Sequence, residues 1–173
     1  MRMIAAALAV LAFSTPQPLS AQAPTKVTLA DLRHLPGTWV LDLAKSGLTE
    51  ADAEQRIVTL GAAWLRMDIH RKAAAQPVSL IYNLDGGANV NAYGSGEAIT
   101  KLTRDGDDIL LEAVLTVNKQ AVTLTERVPL VPGLDLPVDV MLRVEHGYQG
   151  VAPAGVTTPP NTSNARKFFQ KQR

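Results

Sequence analysis

Among the residues able to do chemistry, one carboxylate stands apart by its position. Glu126 lies in the run Ala121 to Leu130, where Val122, Leu124, Val128 and Leu130 fall on alternate positions, and it shares their parity. Strand side chains at i and i+2 share a face, so Glu126 is expected on the buried side. A buried carboxylate is either protonated or paired. Arg104 and Arg143 on neighbouring runs are the candidate partners, although Arg143 has the opposite parity to Val140, Leu142 and Val144. Three readings are open: a cavity acid that takes a ligand's polar head or moves a proton, an internal salt bridge, and a β-bulge that turns the side chain outward.

The other reactive residue types form no constellation. The 173-residue chain has no cysteine, which excludes disulfides, thiolate nucleophiles and cysteine metal sites. His34, His70 and His146 are too dispersed for a metal site. His70 sits with Trp64, Arg66 and Asp68 on a solvated face opposite Leu65, Met67 and Ile69. Ser95, between Gly94 and Gly96, has no base placed near it by sequence. The oxygens of Asp85 to Asn91 do not match the ligand spacing of a calcium-binding hand. No catalytic residue, cofactor or metal is therefore assigned.

The elements that must position Glu126 read as short alternating strands. Thr38 to Leu43 places Trp39, Leu41 and Leu43 on one face. Thr49-x-x-Asp52 is expected to cap one helical turn. Strands follow at Gln55 to Leu60, Trp64 to Arg71, Val78 to Leu84, Glu97 to Arg104, Asp108 to Val117, Ala121 to Leu130 and Leu136 to Glu145. Asp85 to Gly96 is expected as a long mobile loop at one mouth. Alternation with one buried face is the antiparallel signature. About eight such strands in meander order close most economically into a barrel, which removes both edges.

Met1-Arg2-Met3 followed by the apolar run Ile4 to Phe13 and a Pro/Ser/Ala stretch has the layout of a secretory signal peptide. The run of about ten residues is too short for a bilayer that needs about 20. Residues 1–23 are read as this leader, with cleavage after Ala23 or Ala21, and the product is expected in the periplasm or outside the cell. The barrel is expected over 24–151. The stretch 152–173 is expected as a flexible basic tail, dispensable for folding, in which Arg166, Lys167 and Lys171 contact an anionic surface. The barrel segment holds 12 basic and 16 acidic residues, and such a balance excludes a nucleic-acid-binding face.

Gly37-Thr38-Trp39-Val40-Leu41-Asp42-Leu43-Ala44-Lys45-Ser46, with Tyr82-Asn83-Leu84-Asp85-Gly86, Arg104-Asp105-Gly106-Asp107 and Thr125-Glu126-Arg127, resembles a group of small secreted bacterial proteins. The resemblance implies a lipocalin-like calyx without catalytic residues. A small apolar ligand is then expected to touch Trp39, Met67, Tyr82, Leu111, Leu115 and Leu124, with Glu126 as the polar feature. Trp39 also reads as a core residue whose indole N–H finds a backbone carbonyl. The alternatives are a solid-core structural or interaction protein, and an enzyme using Glu126 with Arg104.

Overall fold

A computed structural model describes residues 26–117, 120–131, 135–144 and 161–172. The leader lies outside these, as do His146 and residues 152–160 of the expected tail. A one-turn helix α1 (Leu29–Leu32) precedes strand β1 (Gly37–Leu41). A second short helix, α2 (Leu43–Ser46), and a 3-10 turn (Glu50–Asp52) lead into β2 (Glu54–Leu60). There follow β3 (Trp64–Arg71), β4 (Val78–Asn83), β5 (Asn89–Tyr93), β6 (Gly96–Asp105), β7 (Asp108–Val117), β8 (Gln120–Pro129), β9 (Asp135–Val144) and β10 (Asn161–Lys171). All pair antiparallel in the order β4-β3-β2-β1-β10-β9-β8-β7-β6-β5. The sheet curls so that β4 and β5 face each other, giving a nearly closed barrel.

Local chemistry sets the short elements. Thr28 and Asp31 cap α1 reciprocally, with Thr28 N–H donating to Asp31 at 2.8 Å. Asp42 accepts from the Lys45 amide at 2.9 Å and starts α2, so Leu43 belongs to a helix and not to the first strand. Thr49 donates from its amide to Asp52 at 3.0 Å and opens the 3-10 turn. Gly37 has φ +131°, and a Cβ there would lie 2.7 Å from Lys171 Cε. The first residue of the Gly-Thr-Trp element is thus favoured as glycine by its positive φ, since the Lys171 side chain could move aside.

Among the described residues the strand count is ten rather than about eight, and both additions correct the reading above. Asn89–Tyr93, expected within a mobile loop, is a strand paired along β6. Asn161–Lys171, expected within a dispensable tail, runs between β1 and β9 and joins the two halves of the sheet. Its Phe169 is fully buried. The barrel therefore includes residues well beyond 151. Neither strand turns an apolar row inward: β5 buries Asn91 and exposes Val90, and β10 buries only Phe169 deeply. Their partners' backbones recruit them, and tertiary pairing overrides propensity.

α1 covers one end of the barrel, where Leu32 and Leu35 are buried with Trp39. Arg104 reaches Asp31 there at 3.3 Å. The seam between β4 and β5 is closed by side chains. Asn91 Oδ1 accepts from Ile81 N–H at 2.7 Å, and Asn91 Nδ2 donates to Ile81 C=O at 3.2 Å. This side-chain amide acts as a detached peptide group and supplies both bonds that a neighbouring strand would give. Thr100 Oγ1 also donates to Ile81 C=O, and Asn89 Nδ2 does so at 3.2 Å.

Asn91→Ala removes the partner of the Ile81 amide. It is expected to lower the free energy of unfolding by about 1–3 kcal/mol and to speed hydrogen exchange at Ile81. Denaturant titration and amide exchange check this; unchanged exchange at Ile81 would show that the seam does not depend on Asn91.

Candidate functional site

β2 carries the unusual inward residues. Its burial alternates, with Glu54, Arg56 and Val58 inside and Ile57 and Thr59 exposed. Arg56 lies directly across from Trp39 in β1 and Ile69 in β3. From the far wall, with β1, β10 and β9 intervening, β8 projects Glu126. It sits between Leu111 of β7 and Val140 of β9.

The two meet inside the barrel. Arg56 Nη1 and Nη2 donate to Glu126 Oε2 and Oε1, each at 2.7 Å, in a bidentate pair. Arg56 Nε donates to Glu54 Oε1 at 2.6 Å, and Nη1 also points at Met67 Sδ, 3.7 Å away. The Phe169 ring lies 4.4 Å from the guanidinium carbon. Glu54 Oε2 accepts from Lys167 Nζ at 2.8 Å and from Arg71 Nε at 3.2 Å. Arg56 and Glu126 are 3% and 4% exposed. Burial of this kind is tolerated only because every charge has partners.

The electrostatics follow from these contacts. Burial pushes the Glu54 carboxyl up, but Arg56, Lys167 and Arg71 outweigh it and hold the group at about 2, against an ordinary 4.5. Burial alone would lower the pKa of Arg56; the flanking Glu126 and Glu54 carboxylates raise it instead, so its cation is fixed. The Tyr82 phenol is raised, first by burial and then by the Glu126 charge, against a smaller opposing effect of Arg56.

Glu126 therefore faces inward, as its parity implies. Its partner is Arg56, however, and the expected Arg104 bonds Asp31 and the Gly106 carbonyl. Met67 touches Arg56, Leu111 flanks Glu126, and Tyr82 is buried in the same interior. Leu115 and Leu124 lie further along β7 and β8. Trp39 is buried and donates its indole N–H to Leu35 C=O at 2.7 Å. The three tail cations each have a partner in the fold. Arg166 bonds Asp139, Lys167 turns inward to Glu54, and Lys171 lies 5.3 Å over the Trp39 ring. Arg56 was missed, although its parity with Val58 and Leu60 carried the signal.

The inner face is not uniformly sealed. Val128, Leu136 and Val138 are buried, whereas along the same strands Val122, Leu124 and Val140 are only partly so. Leu142 is 37% exposed. An apolar strip thus remains accessible toward the end opposite α1. Among the described residues no cluster of His, Cys, Asp and Glu suits a metal ion, and no helix is long and apolar enough to cross a membrane.

No family model and no curated protein sequence matches this chain. Solved structures do share its fold. A secretary abundant heat soluble protein from Ramazzottius varieornatus superposes with a TM-score of 0.52 at 12% identity, over 80% of this chain and 95% of that one. Apo lipid binding protein 8 of Caenorhabditis elegans gives 0.51 at 11% identity, over 86% and 100%. Secretory abundant heat soluble protein 4 from R. varieornatus gives 0.50 at 9%, over 80% and 94%. These likenesses establish the antiparallel β-barrel fold, and at such identities they establish the fold alone.

The depressed Glu54 pKa makes an acid-side prediction. Between pH 4.5 and 2 the unfolded chain holds a proton at this position that the folded chain does not. Stability therefore rises with pH across that window, is complete above it, and is lost as pH falls through it. Denaturant unfolding as a function of pH should show this slope, and Glu54→Gln should flatten it. An equal slope in both proteins would contradict the assignment.

Proposed function

We propose that this chain is a non-enzymatic carrier barrel that holds a small apolar molecule against the inner faces of β8 and β9. The observation that carries this reading is the partly exposed apolar strip of Val122, Leu124, Val140 and Leu142 on a face that is otherwise buried. Accessible apolar surface gains about 25 cal/mol per Å² when a ligand removes it from water. The likeness in fold to apo lipid binding protein 8 of Caenorhabditis elegans is consistent with this use of the fold. The leader pattern supports a carrier that acts in the periplasm or outside the cell, after removal of Met1 to Ala21 or Ala23.

Acid–base chemistry at Glu126 is the weaker reading. Both of its oxygens are engaged by Arg56, and the side chain is almost wholly buried. A general base must be free to reach the proton that it removes.

Titration with N-phenyl-1-naphthylamine, an uncharged fluorescent probe, tests the proposal. Saturable binding at one site is expected. Leu124→Glu, which puts a charge on the strip, should weaken it by about tenfold or more, since an unpaired charge is disfavoured beside an apolar ligand. Absence of saturable binding to the unaltered protein would favour a solid barrel that acts through its surface.

A further inference from the structure

We infer that Glu126 is a built-in counter-anion that closes the interior to carboxylate ligands and leaves it selective for uncharged ones; this rests on the carrier reading above. The inference begins with the donor geometry of Arg56. A guanidinium offers a carboxylate one bidentate edge at a time. Here that edge is taken by Glu126 through both Nη atoms at 2.7 Å. The Nε edge is taken by Glu54 at 2.6 Å, and one face is covered by Phe169. A ligand carboxylate would have to displace a side chain tethered in place, whose effective concentration exceeds that of any free anion. The displaced Glu126 would then be left charged and unpaired in a dry interior, which is strongly unfavourable.

The charge balance points the same way. The side chains of Glu54, Arg56, Glu126 and Lys167 are 1%, 4%, 5% and 19% exposed. Two cations and two anions cancel. Arg71 shares Glu54 Oε2 with Lys167 but is 38% exposed, so solvent screens its charge. A carboxylate carried inside would add an uncompensated negative charge. A ligand with a hydroxyl or no polar head adds none, and it can lie on Leu124, Val140 and Leu142 without disturbing the pair.

Two ligands with one chain separate these cases: cis-parinaric acid and the corresponding alcohol, which share a fluorescent polyene. At a pH where the free acid is ionised, the unaltered protein should bind the alcohol at least about tenfold more tightly, a difference the size of one hydrogen bond to a charged group. Glu126→Gln keeps the side-chain shape while removing the charge, and should strengthen acid binding by about tenfold with little change for the alcohol. Glu126→Ala, which vacates the fork, should prefer the acid outright. Equal affinity of the unaltered protein for both ligands would overturn the inference and leave the carrier reading standing. So would an acid-to-alcohol ratio unmoved by Glu126→Gln. Binding of neither ligand to the unaltered protein would refute the carrier reading, and the selectivity with it.

Discussion

The bond between Arg56 and Glu126 is the contact on which the interior is organised. It joins residues 70 apart in sequence and links two strands separated by three others around the barrel. Removing two such ions from water costs several kcal/mol each, and only good geometry with further hydrogen bonds recovers it. That further bonding is present. Glu54 takes the third nitrogen of Arg56, Phe169 and Met67 cover it, and Lys167 and Arg71 complete Glu54. β10 contributes both Lys167 and Phe169, so the strand that closes the sheet also completes the ionic network.

The pair has a counterpart in the seam between β4 and β5. There the backbones do not pair directly, and Asn91, Asn89 and Thr100 satisfy Ile81 from their side chains. In both places an inward polar residue is tolerated because its bonding is nearly complete. An interior built in this way excludes water from its polar groups while leaving apolar surface partly accessible on β8 and β9. That combination is what the proposed carriage of uncharged molecules requires.

Much of this was legible in the residues. Alternation in Asp108 to Val117 and Ala121 to Leu130 located β7 and β8 and placed Glu126 inside. The demand of a buried indole for an acceptor anticipated the bond from Trp39 to Leu35. What stayed hidden shares one cause. In Glu54–Leu60, an outward Ile57 and an inward Arg56 invert the usual rule, so that the partner of Glu126 shows only through its parity with Val58. Asn89–Tyr93 turns Asn91 inward, and Asn161–Lys171 buries only Phe169 deeply. Those strands exist through long-range pairing, which a local pattern does not encode. Parity with Val58 together with the need of Glu126 for a cation would have found Arg56.

A double-mutant cycle at this pair tests the account most directly, using Arg56→Met, Glu126→Leu and the combination, read by denaturant unfolding at neutral pH. Each single change takes the bidentate partner from a buried charge and is expected to cost about 3–5 kcal/mol. The double change replaces the pair with apolar groups and should cost much less than the sum of the two, with a coupling of about 2 kcal/mol or more. Single costs that add to within about 0.5 kcal/mol would show that the two charges do not depend on each other, and would contradict the account.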